Sequence, residues 1–334
     1  MHNTSQELLG NNILINNLIR NFKNKSLHNS LIFSGSKGIG KKTTALFLIK
    51  NIYKYLLKNN YNHHINLIYN NAHPNIKYIY KEFDEKNNKY KNSINIEQIR
   101  NLENFIYQSP FNNLPKFILI DSADDLNKNS SNALLKILEE PKKNTYFILI
   151  THHISTLLPT LRSRCIKFFF KSPSFDYFKK IIINNKSDFN NDEIQFLYDL
   201  SNSSPGIALE LLSENLKDDY LQIINILDDN YYISSEIIGL SNRVKDYSNQ
   251  EYRIFLMILR FVLLTIIKIY LGVNLKNQLS SNLHKKLKIT TSKITNNSCI
   301  TILDYLNNNE NDLFVYNLDK KIFCLNIFTS LSHN

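Results

Sequence analysis

The sequence predicts an α/β protein: a phosphate-loop domain on a parallel sheet, then a small helical segment, then an all-helical C-terminal region. Three observations carry that prediction. Phe117, Ile118, Leu119 and Ile120 form an apolar run closing on Asp121, the pattern of a strand buried on both faces. Its terminal carboxylate lies where open α/β sheets bind their ligands. A short strand, Leu31 to Phe33, leads into SGSKGIGKKTT (Ser34 to Thr44) and a helix from Lys41 to Leu57. A second buried strand, Tyr146 to Ile150, follows a helix from Ser130 to Glu140 that Pro141 ends.

The other elements follow in order. Residues 7–24 read as an amphipathic helix with Ile15, Leu18, Ile19 and Phe22 on one side. From Lys58 to Tyr90 the chain looks irregular, except for an edge strand within Ala72 to Tyr80. His63, His64 and His73 fall there; with no cysteine nearby they are expected to be solvated loop histidines, and no metal site is expected. Ile94 to Tyr107 is a clear amphipathic helix, and Leu114-Pro115 marks the turn into the central strand. Residues 174–185, 191–202 and 204–226 are helical by pattern, with Ser204 as a cap and Pro205 in the first turn. The remainder reads as helices with Asn-rich loops, and residues 276–299 as a polar, basic face. Ile254 to Leu271 is interrupted by Arg260 and Lys268, which share a helical face with Arg253; it reads as a core helix with a wet stripe, not a membrane span.

At 334 residues the chain is long for one core, which predicts two or three domains. The formal charge is +11, of which +10 falls on residues 1–210 and +1 on residues 211–334. That asymmetry suits a nucleic-acid-facing N-terminal part, although an AT-rich coding sequence would equally swell a chain with Asn, Lys, Ile and Tyr. Cys165, Cys299 and Cys324 are too few and too scattered for a disulfide framework or a zinc site, which fits a reducing cytosol. The polar opening MHNTSQELLG predicts no secretory leader.

The chemistry centres on the loop. Gly35, Gly40 and Lys41 fit G-x-x-x-x-G-K-[ST], Gly38 lies inside the loop, and strand and helix flank it as the pattern demands. Backbone N–H groups of such a loop cradle anions, and Lys41 would reach the β- and γ-phosphates. Lys42 stands where a Ser or Thr hydroxyl would bind Mg²⁺. Thr43 is no easy substitute, because one helical step turns a side chain by about 100°. Asp121 takes the Walker B position, but Ser122 stands where a glutamate would activate water. Asp124 and Asp125 read as acids stabilising a helix start. A loop kept only for its shape is the alternative to a nucleotide site, and productive ATP binding is not expected. Thr151 occupies a position where asparagine often senses the γ-phosphate. Arg164, in the run Arg162-Ser163-Arg164-Cys165, is either structural or a finger reaching a neighbouring subunit's ATP.

Taken together, GSKGIGKKT, INIEQIRNL, FILIDSADDLNKNSSNALLKILEEP and LLPTLRSRC resemble the bacterial DNA polymerase III clamp-loader family, nearest its delta-prime branch, within the AAA+ superfamily. The resemblance covers about residues 8–210. It implies an AAA+ core with a degenerate loop over residues 1–170, a helical lid over 171–211 and a helical collar over 212–334. It also implies that Arg164 acts in trans as a finger, and that Gly35, Gly38, Gly40, Lys41, Lys42, Thr43 and Asp121 form a degenerate nucleotide site. The four-cysteine zinc module of many relatives is missing from residues 58–75, and Ile207 replaces a second phosphate-sensing arginine. The implied role is a non-motor subunit of the DNA polymerase III holoenzyme, with its own ATPase site inactive and no cofactor required. Its implied partners are motor and delta-type subunits in a hetero-pentamer, a sliding clamp and primed DNA. An active AAA+ ATPase is the alternative, and a plain DNA-binding module a third reading that rests on charge alone.

Overall fold

The computed structural model describes residues 10–58, 61–84, 89–185, 189, 191–212, 216–228, 235–273 and 294–329. The chain divides into two compact units, residues 1–185 and 186–334.

The first unit runs α1 (Asn12–Lys23), β1 (Ser30–Ser34), α2 (Lys41–Leu57), α3 (Tyr61–Tyr69), β2 (Ile76–Ile79), β3 (Phe83–Asp84), β4 (Lys89–Tyr90), α4 (Ile96–Tyr107), β5 (Lys116–Asp121), α5 (Lys128–Glu139), β6 (Thr145–Thr151), α6 (Pro159–Ser163), β7 (Ile166–Phe169) and α7 (Phe175–Asn185). Five strands make one parallel sheet in the order β2-β5-β6-β1-β7, and β3 and β4 form a separate hairpin. The expected parallel sheet is therefore present, with its strands extended by a residue or so at their ends. Successive side chains of a strand point to opposite faces. Leu31, Phe33, Phe117, Leu119, Ile148 and Ile150 accordingly pack with Leu48, Ile49 and Ile52 of α2. Ile32, Ile118, Ile120, Phe147 and Leu149 pack on the other side with Ile99 and Leu102 of α4 and Leu134 and Leu138 of α5. Helix starts are fixed locally: Asn95 N donates to Gln98 Oε1 at 2.9 Å before α4, and Ser130 N donates to Asn127 Oδ1 at 2.9 Å before α5.

Two expectations in this unit change. The stretch read as irregular contains α3 and the β3–β4 hairpin. His64 and His73 are not solvated but buried, 3% and 2% exposed. His64 Nδ1 and His73 Nε2 lie 2.9 Å apart, beneath the Tyr53 ring, and the Asn75 amide donates to His73 Nδ1 at 3.1 Å. Each imidazole satisfies the other, which is what allows both to leave water.

The described elements of the second unit are all helices: α8 (Asn191–Leu200), α9 (Pro205–Leu211), α10 (Leu216–Asp228), α11 (Ser235–Lys245), α12 (Asn249–Tyr270), α13 (Asn296–Val315) and α14 (Lys320–Thr329). The single helix expected over 204–226 is instead α9 and α10, with residues 213–215 between them outside the described set. Ser204 caps α9 as expected, its Oγ accepting from Ile207 N. Tyr252, Phe255, Leu259, Val262, Leu263 and Ile266 bury α12. The polar stripe on α12 is also as expected, and Arg253 and Arg260 both face Glu310 of α13. No helix among the described residues is long and apolar enough to cross a membrane. The basic run expected as a solvated face lies, over 276–293, outside the described residues.

Candidate nucleotide site

Parallel pairing aligns the strand ends that form the site. Ser34, the last residue of β1, lies beside Thr151 of β6, and Asp121 of β5 lies beside Ile150. The loop of residues 35–40 leaves this edge and enters α2 at Lys41. Gly35 has φ +151°, and a Cβ there would lie 2.5 Å from the Phe170 carbonyl oxygen and 2.9 Å from Ile39 Cδ1. The loop therefore passes Phe170, the residue after β7, more closely than any side chain permits. Gly40, at φ +90°, caps α2 and faces open space, since a Cβ there would meet nothing within 4 Å. The result is an open helix N-terminus, a natural place for phosphate oxygens.

Lys41 is 4% exposed, and its Nζ donates to the carbonyls of Ser36, at 2.5 Å, and Gly35. Burial pushes its pKa down to about 8, against the pull of Asp121 and Asp124. Lys42 extends to the strand end instead, its Nζ 3.5 Å from Asp121 Oδ2. Mg²⁺ needs oxygen ligands in a near-octahedral array. Here the position after Lys41 supplies an ammonium, and the Asp121 carboxylate faces that ammonium. Thr43 is exposed, and the Thr44 hydroxyl donates to Gly40 O at 2.8 Å. These residues do not fit a Mg²⁺ ion.

Asp124 does more than its expected part as a helix-start acid. It sits in a short turn, residues 123–125, and gathers donors from the last residue of β6 and the segment after it. The Thr151 and Thr156 hydroxyls donate to Oδ1 at 2.7 and 2.9 Å. The His152 amide donates to Oδ2 at 2.7 Å, the His153 amide to Oδ1 at 3.0 Å, and the Ser122 hydroxyl also donates to Oδ2. Burial works against its charge, but the Ser122 and Thr151 hydroxyls and the two amides hold its carboxyl far below the usual carboxylate range. A carboxylate offers about four acceptor sites, so Asp124 has none left with which to activate a water. Asp125 is engaged elsewhere, with Lys81 at 3.0 Å.

One residue of the site was missed in the sequence. His152 directly follows Thr151, and its Nδ1 is buried with no hydrogen-bond partner among the described residues. Burial and the neighbouring Lys41 charge push its pKa down, against Asp124 and Asp121. Its adjacency to the phosphate-sensing position was the only signal that could have found it.

Arg164 caps the C-terminus of α6, away from the loop's hydrogen bonds. Its Nη2 pairs with Glu139 Oε1 at 2.6 Å and its Nη1 donates to Thr160 O at 3.2 Å, with the side chain 37% exposed. Ser163 Oγ donates to Thr160 O at 2.9 Å. Cys165 is buried in the core cluster with Leu157 and Leu161, and burial pushes its thiol up to about 12, so it serves as packing.

Residues 10–174 match the family described as "DNA polymerase III, delta subunit". The phosphate loop, Asp121 and the Arg164 turn all lie inside that span, which is just under half of the chain. It is these residues that match the clamp-loader family. Among individual clamp-loader relatives, it is 27% identical over 242 residues to a DNA polymerase III subunit gamma of Buchnera aphidicola, across 71% of this chain and 64% of that one. It is 32% identical over 131 residues to DNA polymerase III subunit delta' of Pseudomonas aeruginosa, across 39% of this chain and 40% of that one. The alignments thus span less than two thirds of either relative's length. A solved DNA polymerase III gamma subunit-related protein from Thermotoga maritima superposes with a TM-score of 0.48 at 18% identity, covering 96% of this chain and 99% of that one. That likeness is too loose to bear on how this chain works.

Proposed function

We propose that this chain is a non-motor, delta-prime-like subunit of a DNA polymerase III clamp loader. On this reading its own loop hydrolyses nothing, and Arg164 is lent to ATP held by an adjacent motor subunit. With motor and delta-type subunits it completes a cytoplasmic hetero-pentamer that places a sliding clamp on primed DNA, and its own part requires no cofactor. The observation that carries the reading is the pairing of Lys42 with Asp121, which sets an ammonium where hydrolysis needs a metal. Ser122 and the saturated Asp124 support it, since neither can serve as a base. Arg164 suits the lent role because it is partly exposed, permanently charged and able to grip phosphate oxygens with two parallel bonds.

A second reading, an active AAA+ ATPase, is favoured by Lys41 in its phosphate-reaching position and by the similarity to a gamma subunit. ATP turnover by the purified chain, with and without primed DNA and beside a Lys41→Ala control, separates the two. The proposal expects no turnover above the control. Turnover that Lys41→Ala abolishes would establish the second reading. In a loader reconstituted with motor subunits, Arg164→Ala is expected to lower DNA-stimulated turnover, and unchanged turnover would remove Arg164 from that role.

A further inference from the structure

The loop retains its phosphate-binding shape while its metal position is closed, and the combination has a chemical consequence. Gly40 opens onto free space at the N-terminus of α2, and Lys41 is buried with its ammonium turned into the loop. The His152 Nδ1, among the same charges, has no hydrogen-bond partner among the described residues. These groups would satisfy phosphate oxygens. In hydrolysing sites Mg²⁺ bridges those oxygens to the strand carboxylate and balances the charge. Here Lys42 already bridges to that carboxylate from the loop side. A divalent ion placed there would meet an ammonium at close range, a repulsive contact with no oxygen ligand from the loop to offset it. An ammonium carries three donors, so one can contact Asp121 while the others face phosphate.

We infer that this site takes a polyphosphate chain without a divalent cation, the Lys42 ammonium standing where Mg²⁺ would bridge phosphate to Asp121. ATP and inorganic tripolyphosphate share this chemistry. The inference rests on the proposed reading of the site as one that hydrolyses nothing, and the two fail separately: turnover tests that reading, and binding in the absence of metal tests this one.

The experiment is calorimetric titration of the full-length chain with ATP, once in excess EDTA and once in excess Mg²⁺. Binding in EDTA at least as tight as in Mg²⁺ is the expected result. Lys42→Thr is expected to weaken binding in EDTA by about tenfold, the value of one charge-assisted contact, and to make Mg²⁺ helpful. Asp121→Asn, which frees the ammonium from its carboxylate, is expected to tighten binding in EDTA and covers the case of Lys42→Thr failing to fold. A parallel titration with tripolyphosphate identifies what is recognised: equal binding assigns the phosphate chain alone, and binding by ATP only assigns the nucleotide. Binding that needs Mg²⁺, or no binding of either probe under either condition, would overturn the inference.

Discussion

Asp124 Oδ1 accepts the Thr151 hydroxyl at 2.7 Å, a bond that ties the turn after β5 to the last residue of β6. Four more donors converge on the same carboxylate, so one charge organises the rim of the site. Replacing it leaves several polar groups without their acceptor. Asp124→Ala is expected to cost roughly 3 kcal/mol, measured by urea unfolding. Because the folded carboxyl titrates far below its unfolded value near 3.9, its contribution is intact above that pH. It is lost as the pH falls below about 3.9 toward the folded value. A wild-type acid unfolding curve that the variant reproduces would show that the network holds nothing.

Gly35 makes a second, independent prediction. Its φ of +151° is strained for any other residue, and the obstacle to a Cβ is the backbone oxygen of Phe170, which cannot rotate away. Gly35→Ala is expected to destabilise by about 2 kcal/mol and lower Tm by roughly 6 °C. Gly40→Ala has a positive φ to contend with but no clash, so it should cost less. A reversed order of the two in a melting experiment would contradict the close passage of the loop against Phe170.

The strands were legible because burial on both faces leaves a continuous apolar run, as in Phe117 to Ile120. The departures on which the proposed reading of the site rests were also legible, since Lys42 and Ser122 each stand at a single position of a fixed spacing. What was not legible depended on distant partners. Asp124 looks like any acid at a helix start until donors 27 to 32 residues later arrive from the end of β6 and the turn after it. Tyr61 to Tyr69 carries too many Asn and His residues to announce a buried helical face, and His64 is buried only because His73 meets it.

Arg164 and Glu139 form an exposed pair, and such pairs contribute about 1 kcal/mol or less. Arg164→Ala and Glu139→Gln are therefore both expected to leave unfolding midpoints nearly unchanged. In a reconstituted loader they should part company: loss of the guanidinium lowers turnover, whereas loss of its carboxylate partner leaves the guanidinium free to act. Equal losses of turnover for both would mean that the ion pair itself, not the arginine, is what the assembly requires.

The buried histidine pair predicts a pH dependence of its own. The Asn75 amide donates to His73 Nδ1, so the neutral ring carries its proton on Nε2 and donates it to His64 Nδ1. A second proton on His64 would set two N–H donors face to face across 2.9 Å, and one on His73 would meet the Asn75 amide, in either case charging a buried ring. Burial, with His64 and His63 adding, pushes the His73 pKa down to about 4, and burial lowers that of His64 as well. Unfolded histidine titrates near 6.5, so the unfolded chain takes up protons first on acidification. The pair's contribution is thus fully present above about pH 6.5 and is lost as the pH falls toward about 4. Tm is expected to decline across that window. His73→Gln should be less stable at pH 7.5 yet decline less steeply, because it removes the group whose protonation differs most between the two states. Parallel Tm profiles for the two proteins would place the acid sensitivity elsewhere in the fold.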